Sequence, residues 1–191
     1  RKILATMMGE HILGFDAVNG DLLWFHHYKN KHNIYPNTPI YYNGEIYFFS
    51  GYGKGGQKFK LNDDGSEITL LWTDETLDNQ MGGVILLDGY LYGSGHNNRS
   101  WYVIDWKTGE LVYESSEIAK GTVIAADGML YAYSDRGELA LIEPQKDSFK
   151  IVSKMDITLG SNQHWAHLVI HNGILYVRHG EALMAFDIRQ K

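Results

Sequence analysis

The chain has no cysteine and only three prolines in 191 residues. Without cysteine there is no disulfide framework, no thiolate metal site and no cysteine nucleophile. The compartment stays open, because exported proteins also do without disulfides. No apolar run approaches the ~20 residues that span a bilayer as a helix. No secretory leader opens the chain either: RKILATMMGE reads as the middle of a strand, so the chain is expected to be a piece of a longer protein, with any export signal upstream. Positive charge is in short supply, with 17 Lys and Arg against 23 Asp and Glu, a formal charge of −6. The basic residues are scattered along the sequence, which gives no electrostatic footprint for nucleic acid. Helical periodicity and N-cap patterns are missing. There is no Gly-x-Ser-x-Gly elbow and no spaced carboxylate pair. Lys54 in GYGKGG lacks the Gly-Lys-Ser/Thr ending and the following helix of a phosphate loop.

Glycine and aromatics are plentiful, with 21 glycines and 13 tyrosines. That composition suits many short strands joined by tight turns. The phrase Gly-x-Ile/Leu-Tyr recurs at Gly44, Gly89, Gly128 and Gly173, at intervals of 45, 39 and 45 residues. A second phrase follows each copy: Lys60-Leu61-Asn62, Ile104-Asp105-Trp106, Leu141-Ile142-Glu143 and Phe186-Asp187-Ile188. An earlier copy, Gly14-Phe15-Asp16, stands without a preceding Gly-x-Leu-Tyr. A third phrase is a turn followed by a strand, ending at Trp24, Trp72 and Tyr113. Each period therefore holds four β-prone runs. Asn-Gly or Asp-Gly joins the first two, and both residues of a type I′ turn need positive φ.

A four-stranded antiparallel unit repeated every ~40–45 residues is the signature of a β-propeller blade. The sequence is expected to be all-β, with a partial blade over 1–30, full blades over 35–77, 80–117 and 120–157, and a partial last blade over 164–191. With strands A to D running from the axis outward, the first unit offers B, C and D and the last offers A, B and C. Three full and two partial blades make roughly half of a seven- or eight-bladed ring. The remaining half of the same propeller is thus an expected partner, because two raw blade faces would otherwise stay exposed.

FDAVNGDLLW (Phe15 to Trp24) and IDWKTGELVY (Ile104 to Tyr113) resemble the Ala-Leu-Asp-x-x-Thr-Gly-x-x-x-Trp phrase of PQQ-like propeller repeats. The resemblance runs over essentially the whole chain. That family includes quinoprotein alcohol dehydrogenases and a non-enzymatic assembly lipoprotein of the bacterial outer membrane. For this chain it implies the propeller fold and a periplasmic or cell-envelope location. On the enzymatic branch it also implies PQQ and Ca²⁺ at the channel mouth, with an Asp as base. Such enzymes stack the quinone between a tryptophan and a vicinal cysteine pair, and no such pair occurs in this chain.

The meander divides the blade ends into two faces. The A–B and C–D turns are minimal and mark a structural face. The B–C and D–A loops are longer and more varied, and function tends to sit on such loops. They carry Tyr35, Lys120, His164, Trp165 and His167 on D–A segments, and His96, Arg99, Arg178 and His179 on B–C loops. These nine form the expected ligand-binding rim. His164, His167 and His179 are expected at one end of one blade, where three imidazoles could ligate a divalent ion; His171 falls beside the opposite turn. Trp24 and Trp72 are expected to fill inter-blade gaps, as are Tyr47, Tyr92, Tyr131 and Tyr176. Asp16, Asp105 and Asp187 are expected to bond turn amides. The favoured function is a non-catalytic module binding a protein or glycan. The alternatives are a PQQ- and Ca²⁺-dependent dehydrogenase, and a metal-dependent hydrolase or lyase built on the three histidines.

Overall fold

A computed structural model describes residues 1–189; Gln190 and Lys191, the end of the partial blade expected over 164–191, lie outside the described residues. Every regular element is a strand. The first sheet is β1 (Ile3–Met8), β2 (His11–Asp16) and β3 (Leu22–His27). Three four-stranded sheets follow: β4 (Ile40–Tyr42) to β7 (Ile68–Asp74), β8 (Ile85–Leu87) to β11 (Leu111–Ser115), and β12 (Gly121–Ala126) to β15 (Ser148–Asp156). Between those bounds run β5 (Glu45–Ser50), β6 (Gly55–Leu61), β9 (Tyr90–Ser94), β10 (Trp101–Asp105), β13 (Met129–Ser134) and β14 (Glu138–Gln145). The last sheet is β16 (Val169–His171), β17 (Ile174–His179) and β18 (Ala182–Asp187). Each sheet is an antiparallel meander in sequence order. The protein is an arc of a β-propeller with three complete and two three-stranded blades.

The turn chemistry explains the regularity. Asn43-Gly44, Asp88-Gly89, Asp127-Gly128 and Asn172-Gly173 all have positive φ at both positions, between 49° and 83°. The type I′ twist matches that of the strands it joins. At the same end of the blades, where the third blade strand ends, Asp16 accepts the Val18 amide, Asp105 those of Lys107 and Thr108, and Asp187 that of Arg189. A register shift recurs where the third strand meets the fourth: Gly14/Phe15, Lys58/Phe59, Val103/Ile104 and Leu141/Ile142. A bulge there sharpens the local twist and re-aims the residues around it.

The core lies between blades rather than inside one. One buried cluster joins Met7, Ile12 and Trp24 to Ile46, Phe48 and Phe59 of the next sheet. Others join Tyr47 to Leu91 and Ile104, Tyr92 to Leu130 and Phe149, and Tyr131 and Tyr133 to Leu175 and Val177. The outer-strand tryptophans close these seams. Trp24 Nε1 donates to the Gly65 carbonyl and Trp72 Nε1 to the Trp106 carbonyl, each 3.2 Å away in the next blade's turn. Gly14 and Gly109 leave room for them, since a Cβ at either would sit inside the indole.

One seam holds a buried cation. Lys58 is 1% exposed, with its ammonium 2.7 Å from Glu45 and 4.3 Å from the Trp106 ring centroid. It also donates to the Trp106 carbonyl. On the terminal sheets the outward surfaces remain apolar: Leu4, Leu22 and Phe25 at one end, Val169 and Leu183 at the other, are all more than half exposed.

Candidate binding rim

The loops between the second and third blade strands (after β1, β5, β9, β13 and β17) and the segments between sheets meet on one face. Buried polar residues build that face. Asp78 is 1% exposed. Its carboxylate accepts the amides of Gly53, His96 and Asn97 at 2.6–3.3 Å, so one side chain ties two neighbouring B–C loops together. Tyr52 and Arg99 on these loops hold left-handed φ of 65° and 59°. Non-glycine residues adopt that conformation only where the surroundings fix it. Further in, Asn37 Nδ2 donates to the Phe49 and Asn79 carbonyls, and Asn79 Nδ2 to those of Ser94 and Gly121. Each amide thus spans from one blade to the next.

At the last blade His179 closes β17 at the place taken by Ser50 and Ser134 in earlier units; Gly44 to Ser50, Gly128 to Ser134 and Gly173 to His179 are the same interval. His179 is buried, with Nδ1 2.8 Å from the Leu159 carbonyl and Nε2 2.9 Å from that of Asn162. His164 stacks on this ring at 3.6 Å. Its Nδ1 faces the Tyr133 hydroxyl. Burial pushes the Tyr133 phenol up to about 12. Burial first, and the charge of His179 second, hold the His164 imidazole below its ordinary range.

His167 turns elsewhere. Its Nε2 lies 2.7 Å from the Met81 carbonyl, beside Gly82. The expected histidine trio is therefore divided: His179 points both nitrogens at carbonyls and His167 anchors a different segment, whereas a metal ligand needs a free lone pair on a neutral ring. Among the described residues no three His, Asp or Glu side chains converge as a metal-holding set. The quinone and Ca²⁺ implied by the resemblance fit no better. There is no cysteine pair, and the buried side-chain oxygens left without a partner among the described residues are all neutral, those of Asn37, Gln57 and Thr122.

The other expected residues fall into two groups. His96 and Lys120 meet, with Lys120 Nζ 2.6 Å from His96 Nδ1, 3.4 Å from Gln80 Oε1 and 4.0 Å from Asp135. Burial lowers both affinities for protons, and each group's positive neighbours add to it. Arg99 is exposed on the adjoining loop and lines the same cavity as Lys120. Tyr35 stands apart, with its hydroxyl donating to the Tyr28 carbonyl and accepting the Asn30 amide. Trp165 is 56% exposed, and Arg178 is exposed with Nε on the Gly180 carbonyl. His171 sits at the opposite turn beside Asn172. Sequence reasoning missed Asp78, Asn79 and Tyr133; the first two stood in plain view in LDNQ, a polar triplet between blades.

These shifts set an acid response. His26, His96 and His164 all bind protons more weakly when folded, chiefly because of burial. A depressed folded pKa gives stability that is complete above the unfolded value of 6.5 and lost as pH falls through the folded value. Glu10, Glu138 and Glu181, lowered from 4.5, and Asp187, lowered to about 2, act in a second window below 4.5. Urea midpoints measured from pH 8 to 3 are expected to show two descending steps, one starting near 6.5 and one below 4.5. His164→Gln is expected to shrink the first and leave the second.

No protein-family model matches the chain, and no curated protein matches it in sequence. Solved structures do. BamB from Moraxella catarrhalis is similar over 96% of this chain and 54% of its own, at 13% identity and a TM-score of 0.68. A functionally unknown protein from Desulfotomaculum acetoxidans DSM 771 is similar over 98% of this chain and 65% of its own, at 11% identity and a TM-score of 0.70. At such identities the likeness is one of fold. The chain spans roughly half to two thirds of the length of these two chains.

Proposed function

We propose that this arc belongs to a non-catalytic β-propeller of the bacterial envelope, which docks a protein or a glycan on its loop-bearing rim. One observation carries the reading: the buried polar groups of the rim are spent on holding its own backbone, while Trp165, Arg178 and Arg99 stand out into solvent. A reaction centre needs groups aimed at a common point within hydrogen-bond reach of a reacting atom. Here Asp78, Asn37, Asn79, His167 and His179 are all directed at amides or carbonyls. Trp and Arg are among the residue types that dominate binding energy at protein interfaces. The likeness to BamB supports a scaffold rather than an enzyme, and a PQQ-dependent activity has no supporting feature in these residues. The apolar terminal faces fit against further blades of the same ring. Among the described residues no helix is long and apolar enough to cross a membrane.

The test is photo-crosslinking in the native host from the full-length protein. A crosslinking amino acid is placed at Trp165, at Arg178, or at Asn172 on the opposite face. Discrete adducts from the first two positions and none from Asn172 are expected. Adducts from Asn172 alone, or from none of the three, would discard the rim as the docking face.

A further inference from the structure

A second feature of the same rim lies one blade-junction away from Trp165. Between β11 and the loop after β13 is a cavity of about 250 Å³, lined by Arg99, Ile118, Lys120, Asp135, Arg136 and Glu138 with the neighbouring backbone. Its volume falls below the ~300 Å³ at which drug-sized and cofactor pockets begin. It holds one side chain, not a nucleotide or quinone. The wall contains no aromatic ring on which a sugar could stack.

The charges in the wall are unequally engaged. Glu138 accepts from the Ala119 amide, the Ser134 hydroxyl and the Lys154 ammonium. Glu117, also in the wall, lies 3.4 Å from the Ser115 hydroxyl. Asp135 faces Lys120 at 4.0 Å, and His96 holds that ammonium at the back of the cavity. Arg99 and Arg136 are exposed, and among the described residues neither guanidinium forms an ion pair. Arg99 and Arg136 come from B–C loops of adjacent blades, and the left-handed turn at Arg99 fixes where its chain departs.

We infer that this cavity is the receptor for a single carboxylate, the side chain of a Glu or Asp in a protein partner, gripped by Arg99 and Arg136 over Lys120. It deepens the rim reading and rests on it. A planar guanidinium fork matches a carboxylate in two parallel bonds. The three acids in the wall make a monoanion a better guest than a phosphate dianion. The −6 charge of the chain repels polyanions at long range, while an uncharged stretch of peptide bearing one acid can enter.

The experiment is an NMR titration of the full-length protein with the blocked tripeptide acetyl-Ala-Glu-Ala-amide. Its glutamine counterpart, inorganic phosphate and glucuronate serve as rivals. The Glu peptide is expected to shift amides of the loops at Arg99 and Arg136, to bind at least tenfold more tightly than the Gln peptide, and to weaken with salt. Arg99→Gln and Arg136→Gln, both at exposed positions, are each expected to lower its affinity at least about tenfold, the loss of one or more charge-assisted hydrogen bonds. Equal binding of the Glu and Gln peptides, absence of binding, stronger binding of phosphate or glucuronate, or unchanged affinity in both variants would overturn the proposal. If the titration fails while Trp165 still forms crosslinks, the pocket is lost and the docking rim stands; if neither responds, both are lost.

Discussion

Asp78→Ala is expected to lower unfolding stability by about 3–5 kcal/mol, because three half-buried amide hydrogen bonds would lose a charged acceptor, each such bond being worth roughly 1.5–3 kcal/mol. The donors are the amides of Gly53, His96 and Asn97, drawn from two blades. No other side chain stands ready to replace the carboxylate, which is 1% exposed together with its residue. A typical domain has only about 5–15 kcal/mol in total, so the variant should populate unfolded or locally opened states at ambient temperature. Asp78→Asn keeps one acceptor oxygen and loses the charge, so it should fall between the two. Urea denaturation reads the effect, as a shifted midpoint at constant slope. Hydrogen exchange should show the loops at Gly53 and His96 losing protection together. A shift below about 1 kcal/mol for alanine, or loss of protection at one loop alone, would mean the carboxylate does not join them.

Glu45→Ala is the second large effect, an expected loss of about 2–4 kcal/mol. Removing one partner of a buried ion pair costs about 3–5 kcal/mol because the other charge is left behind. The figure is reduced here, since the Glu45 carboxylate is 29% exposed and Lys58 keeps the Trp106 carbonyl and ring. Lys58→Met takes the opposite route. It fills the same slot between Trp72 and Trp106 with an unbranched apolar chain and buries no charge, and the expected change is under ~1.5 kcal/mol in either direction. The contrast between the two variants is the measurement. If Lys58→Met proves as damaging as Glu45→Ala, the ammonium is a net source of stability rather than a tolerated charge.

Much of the fold could be read from residues alone because its signals are local. Asn43-Gly44 and its three echoes need positive φ for reasons internal to the turn, and alternation on either side fixes which face each strand buries. Trp24 and Trp72 were legible as seam-fillers from size and position. The rim was legible only as a list of residues sharing a face. Which of them meet depends on side-chain direction in segments without strand periodicity: His164 reached His179, while His167, a few residues on, turned back to Met81. Asp78 was visible as part of a polar triplet, but its role was not, because its partners are backbone amides, which every residue but proline carries. Lys58 was hidden by the opposite default, since lysine in a strand reads as a solvent-facing residue.

The amides of Asn37 and Asn79 reach carbonyls 42 residues further along the chain in both cases, one structural period. Each bond therefore belongs to a junction and involves nobody beyond the nearest neighbours. Fusion or excision of a whole period regenerates the same junction at the new boundary, whereas a cut inside a period destroys two. Descent in such an architecture proceeds by counting in whole modules, with the number of them free to drift while the joint between any two stays under constraint.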